Sequence, residues 1–347
     1  MAQPMSIEGV ASIKRDADEI CRIVSESYFL KHPDCLKGNA DRVKQMCKSD
    51  FFHHLDFLLT AMSTATSKIF SDYATWLRNV LEKRNMSTEH PFDSFTFIKE
   101  EFLARVGPLD HPVVIEVIDA GLVALRCNPV NETELAKTTK STQTEYSLAI
   151  SNGERLNAES LILKEVKNGT SLTTASVDII QPAMYHIGHL WENNKISVAQ
   201  EHLATAISQN ILAKAYSVAE FSDFVDKHVL CACIEGNHHS LGLRMVSDAF
   251  ETSGWESTFL GANTPNSAII SQIELEKPDV LALSLSMPEQ LLNLRGLLDM
   301  LKTNYGAKMP NIVVGGLTIN QHQSTIRHLS IDGYFVDAKQ LYLDLKS

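Results

Sequence analysis

Between residues 228 and 316, four short apolar runs alternate with segments of helical period, and this alternation constrains the fold more than any other feature of the chain. The runs are His228–Ile234, Gly254–Gly261, Pro278–Ser286 and Asn311–Gly316, and the helical patterns between them are Leu241–Thr252, Ser267–Leu275 and Glu289–Tyr305. Strands alternating with helices predict a parallel sheet with crossover helices packed on it. The carboxyl ends of such strands open onto a crevice where ligands bind. The loop after the first run reads Asn237-His238-His239-Ser240-Leu241-Gly242. Imidazole is the commonest metal-ligating side chain, and its second nitrogen needs an orienting partner. Asn237, two residues before His239, is the candidate orienter, and Gly242 is the candidate close-packing glycine. The loops after the third and fourth runs carry Ser284, Ser286, Gly315 and Gly316, small enough for the backbone to approach a bulky group. Taken singly, each loop also reads as turn punctuation or a solvated segment; their agreement on one edge of one sheet favours a ligand site.

A length of 347 residues accommodates two or three domains, each with its own core. The formal net charge of -11 disfavours a sequence-independent grip on nucleic acid, which needs clustered Lys and Arg, so no direct nucleic-acid partner is expected. No run approaches the roughly 18 apolar residues of a membrane span, so no membrane partner is expected either. Glu8, Lys14, Arg15, Asp16, Asp18 and Glu19 are incompatible with a secretory leader. Cysteines at 21, 35, 47, 127, 231 and 233 lack zinc-ligand or disulfide-framework spacing, and Cys231 and Cys233 share one face of a buried strand. These features predict a soluble, reduced, cytoplasmic protein.

Residues 1–130 read as a helical bundle. Apolar residues recur at three-to-four spacing through Phe51–Thr66, Ser67–Lys83, Ser94–Val106 and Val113–Leu125. Residues 131–147 are rich in Thr, Ser, Lys and Glu and read as a linker. Residues 148–222 form a second helical unit, with helices over Ala158–Asn168, Leu172–Asn193 and Ser197–Tyr216, and residues 223–347 form the α/β domain. Ser197 is placed to cap the last of these helices, and Gln200 completes a capping box. One helix ends in Gly188-His189-Leu190-Trp191 and the next begins Val198-Ala199-Gln200-Glu201-His202, where Val198 and His202 share a face. By itself this is also an amphipathic hairpin with Trp191 in its core and a solvated Glu201–His202 corner.

The segment 237–242 resembles the D-x-H-x-x-G signature of cobalamin-binding domains, with Asn237 in place of Asp, and Ser284-Leu285-Ser286 with Gly315-Gly316 resembles the S-x-L and G-G elements of that family, with Ser286 in place of Leu. A helical unit preceding such a domain looks like the corrinoid module of methionine synthase and of corrinoid methyl-carrier proteins. The set Trp191, Val198, Glu201 and His202 resembles the helical cap of adenosylcobalamin-dependent photoreceptors of the light-regulated carotenoid repressor class.

That resemblance implies a Rossmann-like cobalamin-binding domain under a four-helix cap. It implies His239 as the lower axial cobalt ligand, and Trp191 and Val198 packed against the adenosyl group with Glu201 and His202 beside it. It further implies a signalling protein whose state changes when light cleaves adenosylcobalamin, assembled as a homodimer or larger homo-oligomer and acting on an unidentified downstream protein; an enzymatic role is left open. Two departures stand out. Glu192 occupies a position that is often histidine, leaving His186, His189 and His202 as nearby imidazoles, and residues 1–130 lack a basic recognition helix. The N-terminal arrangement looks more like the photocobilins, which also bind a bilin. Under that resemblance, Phe51, Phe52, His54, Tyr73 and Trp76 are expected to form a slot for a pigment such as biliverdin, although they also suffice for an ordinary helix–helix core. The competing reading is a corrinoid methyl carrier of a methyltransferase system.

Overall fold

The computed structural model describes residues 3–37, 39–127, 141–326 and 329–340, and the chain divides into two compact units, Met1–Glu132 and Thr133–Ser347. The first unit is helical. Helices α1 (Ile7–Arg15), α2 (Ala17–Lys31), α3 (Ala40–Ser63), α4 (Ser67–Glu82), α5 (Glu89–Arg105) and α6 (His111–Arg126) bury the apolar stripes of the sequence, with Leu58, Ile69, Phe70, Phe95, Phe102 and Ile118 at 1% exposure or less.

The expected aromatic slot is a closed core instead. Phe51, His54 and Tyr73 are buried, and Phe52 and Trp76 are half-buried. The rings of Phe57 and Tyr73 stack at 4.1 Å, and His54 meets Phe95 edge-on at 5.0 Å. His54 Nδ1 and the Tyr73 hydroxyl share a 2.6 Å hydrogen bond. Burial pushes His54 down to about 3, so its imidazole is neutral and its polar handle is already used inside the bundle.

The second unit opens with helices. Residues 128–140 of the expected linker lie outside the described residues, and the rest of it is helix: α7 spans Ser141–Ser151. The Ser/Thr run suggests a loop locally, but Tyr146, Ala149 and Ile150 at three-to-four spacing are fully buried, and the Tyr146 hydroxyl donates to Ser208 Oγ at 2.9 Å. Next come α8 (Arg155–Lys167), α9 (Leu172–Ala175), α10 (Gln181–Glu192) and α11 (Val198–Tyr216). Helices α9 and α10 occupy the single expected helix 172–193, joined by a π turn over Ser176–Ile180. Pro182 has no N–H to continue the normal ladder, and the Gln181 amide instead reaches Ser176 five residues back. Ile162, Leu172, Ile180, Ile187, Ile207 and Ile211 fill the core of this cap.

The α/β half is a five-stranded, wholly parallel sheet in the order β2-β1-β3-β4-β5, made of β1 (His228–Ile234), β2 (Glu256–Thr264), β3 (Val280–Ser284), β4 (Asn311–Gly315) and β5 (Gly333–Phe335). It is the expected Rossmann-like parallel architecture, with a fifth strand that at three residues is too short to leave a sequence pattern. Strand β2 begins two residues later than expected and runs past Gly261 to Thr264, with its register against β1 broken after Cys231 and again after Ala232. The crossovers include α12 (Leu241–Thr252), α13 (Asn266–Glu276) and α14 (Gln290–Tyr305). Helix α12 is shared between two cores: Leu243 and Phe250 pack on the sheet with Cys231 and Cys233, while Met245 and Ala249 pack into the cap. Among the described residues, no helix is long and apolar enough to cross a membrane.

Candidate functional site

In the order β2-β1-β3-β4-β5 the chain leaves β1 toward one edge of the sheet and later crosses back to β3 on its other side. A crevice opens between the carboxyl ends of such a pair. The two loops that flank it are those carrying Asn237–Gly242 and Ser284–Ser286. They are tied together: Asn237, fully buried, donates from Nδ2 to the Ser284 carbonyl at 2.8 Å.

Asn237 does not orient the His239 imidazole, contrary to the sequence expectation. Its Oδ1 accepts from the His239 backbone N–H at 3.1 Å, so the side chain shapes the loop and leaves the ring alone. Three residues that sequence reasoning missed finish the work. The Asn263 Oδ1 accepts from the Gly236 N–H at 2.8 Å, and the Asn263 N–H donates to the Asn237 carbonyl at 2.8 Å. Asn293 donates to the Glu235 carbonyl at 2.9 Å. Gln290, 2% exposed, accepts from the N–H groups of Ser286 and Met287 at 2.8 and 3.1 Å and donates to the Gly236 carbonyl at 3.0 Å. The one sequence signal for Gln290 was an amide side chain beginning an apolar helix.

The result is a loop whose backbone is held at Glu235, Gly236, Asn237 and the His239 N–H while the His238 and His239 residues stay exposed. Rigid backing of this kind is what a ligating side chain requires. Ser240 follows as the N-cap residue of α12. Gly242 is not a close-packing glycine: a Cβ there would meet no atom within 4 Å, so the first turn of α12 borders open space. Gly316 has the opposite character. Its φ is +107°, and a Cβ would lie 2.1 Å from the Leu285 carbonyl oxygen, so its small size serves protein backbone and no ligand need be invoked. The neighbouring Gly315 carbonyl accepts from the Leu285 N–H at 2.9 Å, which draws the β3 and β4 loops together.

The cap residues form a second group. Trp191, half-buried, lies in the last turn of α10, and Val198, 54% exposed, begins α11. Ser197 caps α11, and the expected capping box with Gln200 is present. Glu201 Oε2 lies 2.6 Å from His202 Nδ1, while its Oε1 accepts from Thr205 Oγ1 at 3.1 Å. In the same hairpin, Asn193 Nδ2 donates to the His189 carbonyl at 2.9 Å. Cys231 and Cys233 are inert by comparison: burial pushes both thiols up to about 12.

An exposed imidazole on a braced loop, an uncrowded helix start and small residues at adjacent strand ends suit a large ligand with a metal at its centre. Comparison with known proteins agrees. Residues 227–340 match the B12 binding domain family, and residues 142–216 match the second family described as B12 binding domain. The HTH-type transcriptional repressor CarA of Myxococcus xanthus is 34% identical over 135 residues, 38% of this chain and 45% of CarA. CarH of the same organism, also an HTH-type transcriptional repressor, is 25% identical over 171 residues, 49% of this chain and 56% of CarH. The chain thus spans about half the length of these curated relatives. The Methanosarcina barkeri monomethylamine corrinoid protein shares the fold at 16% identity, with a TM-score of 0.51 over 60% of this chain and 98% of that one. Residues 142–216 and 227–340 therefore form the two parts of a B12-binding module that resembles the one in CarA and CarH.

Proposed function

We propose that this protein is a cobalamin-dependent light sensor that takes the adenosyl form of the cofactor and signals through a change in packing between its helical cap and its α/β half. The observation that carries the proposal is the braced loop after β1, which holds its backbone through Asn237, Asn263, Gln290 and Asn293 and leaves His239 exposed. When bound, adenosylcobalamin supplies a cobalt–carbon bond that visible light cleaves.

The chain's own residues hold and select. His239, three residues before Gly242, would hold the cobalt, and the open space beside Gly242 would leave room for the cofactor at the start of α12. Ser284, Ser286 and Gly315 keep bulk away from the carboxyl ends of β3 and β4, and Gly316 lets these two loops close on one another at Leu285. Trp191 and Val198 offer an apolar surface for a nucleoside, and the paired Glu201 and His202 offer polar groups beside it. Binding energy from such groups favours whichever packing of cap and α/β half contacts the ligand better, which is the requirement for a switch. The net charge of -11 directs the output to a protein, either a second copy of this chain or a separate partner, and away from DNA. A bilin in the N-terminal unit would have to displace the mutually satisfied His54–Tyr73 core, so the proposal uses the cobalamin alone.

The axial assignment has a direct test. Purified protein loaded with adenosylcobalamin in the dark is expected to show a histidine-ligated absorption spectrum. His239→Ala should lose that spectrum or the cofactor, while His238→Ala keeps both. An unchanged spectrum in His239→Ala would refute the assignment, and loss confined to His238→Ala would transfer it to the neighbour. A methyl carrier would instead accept methylcobalamin at least as readily as the adenosyl form.

A further inference from the structure

Arg244 lies one turn into α12, the helix that begins directly after the histidine loop, and its N–H donates to the Ser240 carbonyl at 2.9 Å. Its side chain meets three different elements. Nε lies 2.7 Å from Asp248 Oδ1 one turn further along α12, and Asp248 is 1% exposed. The guanidinium also sits 5.6 Å from the ring of Tyr216, the last residue of α11, and 5.4 Å from the ring of Phe259 in β2. These distances fall within the range of cation–π attraction. Burial, with the carboxylates of Glu251 and Asp248 nearby, pushes the Tyr216 phenol up to about 12. Tyr216 is backed in turn by Phe221, edge-on at 5.3 Å. Arg244, held by Asp248, thus meets the end of the cap at Tyr216, while Met245 and Ala249 of the same helix enter the cap core.

We infer that Arg244 is a positioning residue that pins the end of cap helix α11 to α12 and β2, and so fixes how the cap stands relative to the loop bearing His239. The planarity of the guanidinium is what lets one side chain attract two aromatic rings while its edge pairs with Asp248. Lysine keeps the charge and can still reach the carboxylate, but it has no planar group to offer the rings. The inference concerns the joint itself; its use in signalling rests on the function proposed above.

Amide hydrogen exchange on the full, cofactor-free chain separates the two. In Arg244→Ala, exchange should accelerate about tenfold or more over the last turn of α11 and residues 217–225, with the amides of β1 and β3 unchanged. Arg244→Lys should give most of the same local acceleration, and Tyr216→Leu should match it. Combining Arg244→Ala with Tyr216→Leu should accelerate exchange by less than the product of the two single effects, because both remove the Arg244–Tyr216 contact. Unchanged exchange in residues 210–225, full protection in Arg244→Lys, additive effects of the two changes, or a uniform rise that includes β1 and β3 would each overturn the inference. A second arm measures the ratio of adenosylcobalamin to hydroxocobalamin affinity. Arg244→Lys should shrink that ratio severalfold while the histidine-ligated spectrum persists, and an unaltered ratio would remove the joint from cofactor discrimination. If the unsubstituted protein bound no cobalamin, the proposed function would fail and the exchange result would still decide the joint.

Discussion

At the scale of single residues, the site is held by amide side chains that a motif does not reveal. Asn237 was visible as a departure from the Asp of the resembling signature, and its role was misassigned because sequence distance suggests a partner without specifying which atom is reached. The structure spends both ends of its amide on backbone, and an aspartate in the observed pose could not donate to the Ser284 carbonyl. Asn237→Ala should leave that buried carbonyl and the His239 N–H without their partners, at a cost of about 1–3 kcal/mol. Chemical denaturation would measure it, and a loss below about 0.5 kcal/mol would show that the loop does not depend on this bridge.

His54 carries a second residue-scale expectation. Its folded value of about 3 lies below the ordinary histidine range, so the unfolded chain takes up a proton first as pH falls. The neutral, buried imidazole therefore contributes full stability above pH ~6.5, and that contribution drains away as pH drops toward 3. Between pH 7 and 5 the native protein should lose on the order of 2 kcal/mol to this group, whereas His54→Gln should lose distinctly less. Equal losses in the two proteins, read from urea midpoints, would contradict a neutral buried His54.

At the scale of elements, periodic patterns were legible and irregular ones were not. Helix α12 matched its expected span, and α11 began at the residue next to its expected cap, because apolar spacing and the Ser197–Gln200 pair point to the same boundary. The π turn at 176–180 escaped, since its apolar spacing looks helical throughout and only Pro182 marks the break. The start of α7 escaped for the opposite reason: local Ser/Thr chemistry signals a loop, and only the buried Tyr146 shows that tertiary packing prevails. The glycines were visible as glycines, but which of them borders space and which touches backbone depends on neighbours distant in sequence. Ser197→Ala removes one half of the capping box at the turn that carries Val198 and Glu201, and should cost about 1 kcal/mol. Thermal unfolding and amide exchange over the first turn of α11 report it, and protection equal to the native protein there would mean that packing alone fixes this helix start.

At the scale of the whole molecule, the sheet order converts a list of motifs into a site. The loops after β1 and β3 became neighbours only when β3 was placed beside β1, a pairing the sequence pattern permits without requiring. Helix α12 then joins that site to the cap through two hydrophobic cores and the Arg244 cluster. The central claim is that the adenosyl ligand holds the cap and the α/β half in one arrangement that light releases. Small-angle X-ray scattering of the protein loaded with adenosylcobalamin, recorded in the dark and again after green illumination, tests it most directly. The account predicts a change in the scattering curve on illumination, and no change for the same protein loaded with hydroxocobalamin. Superimposable dark and illuminated curves, with cobalamin shown to be bound, would contradict it.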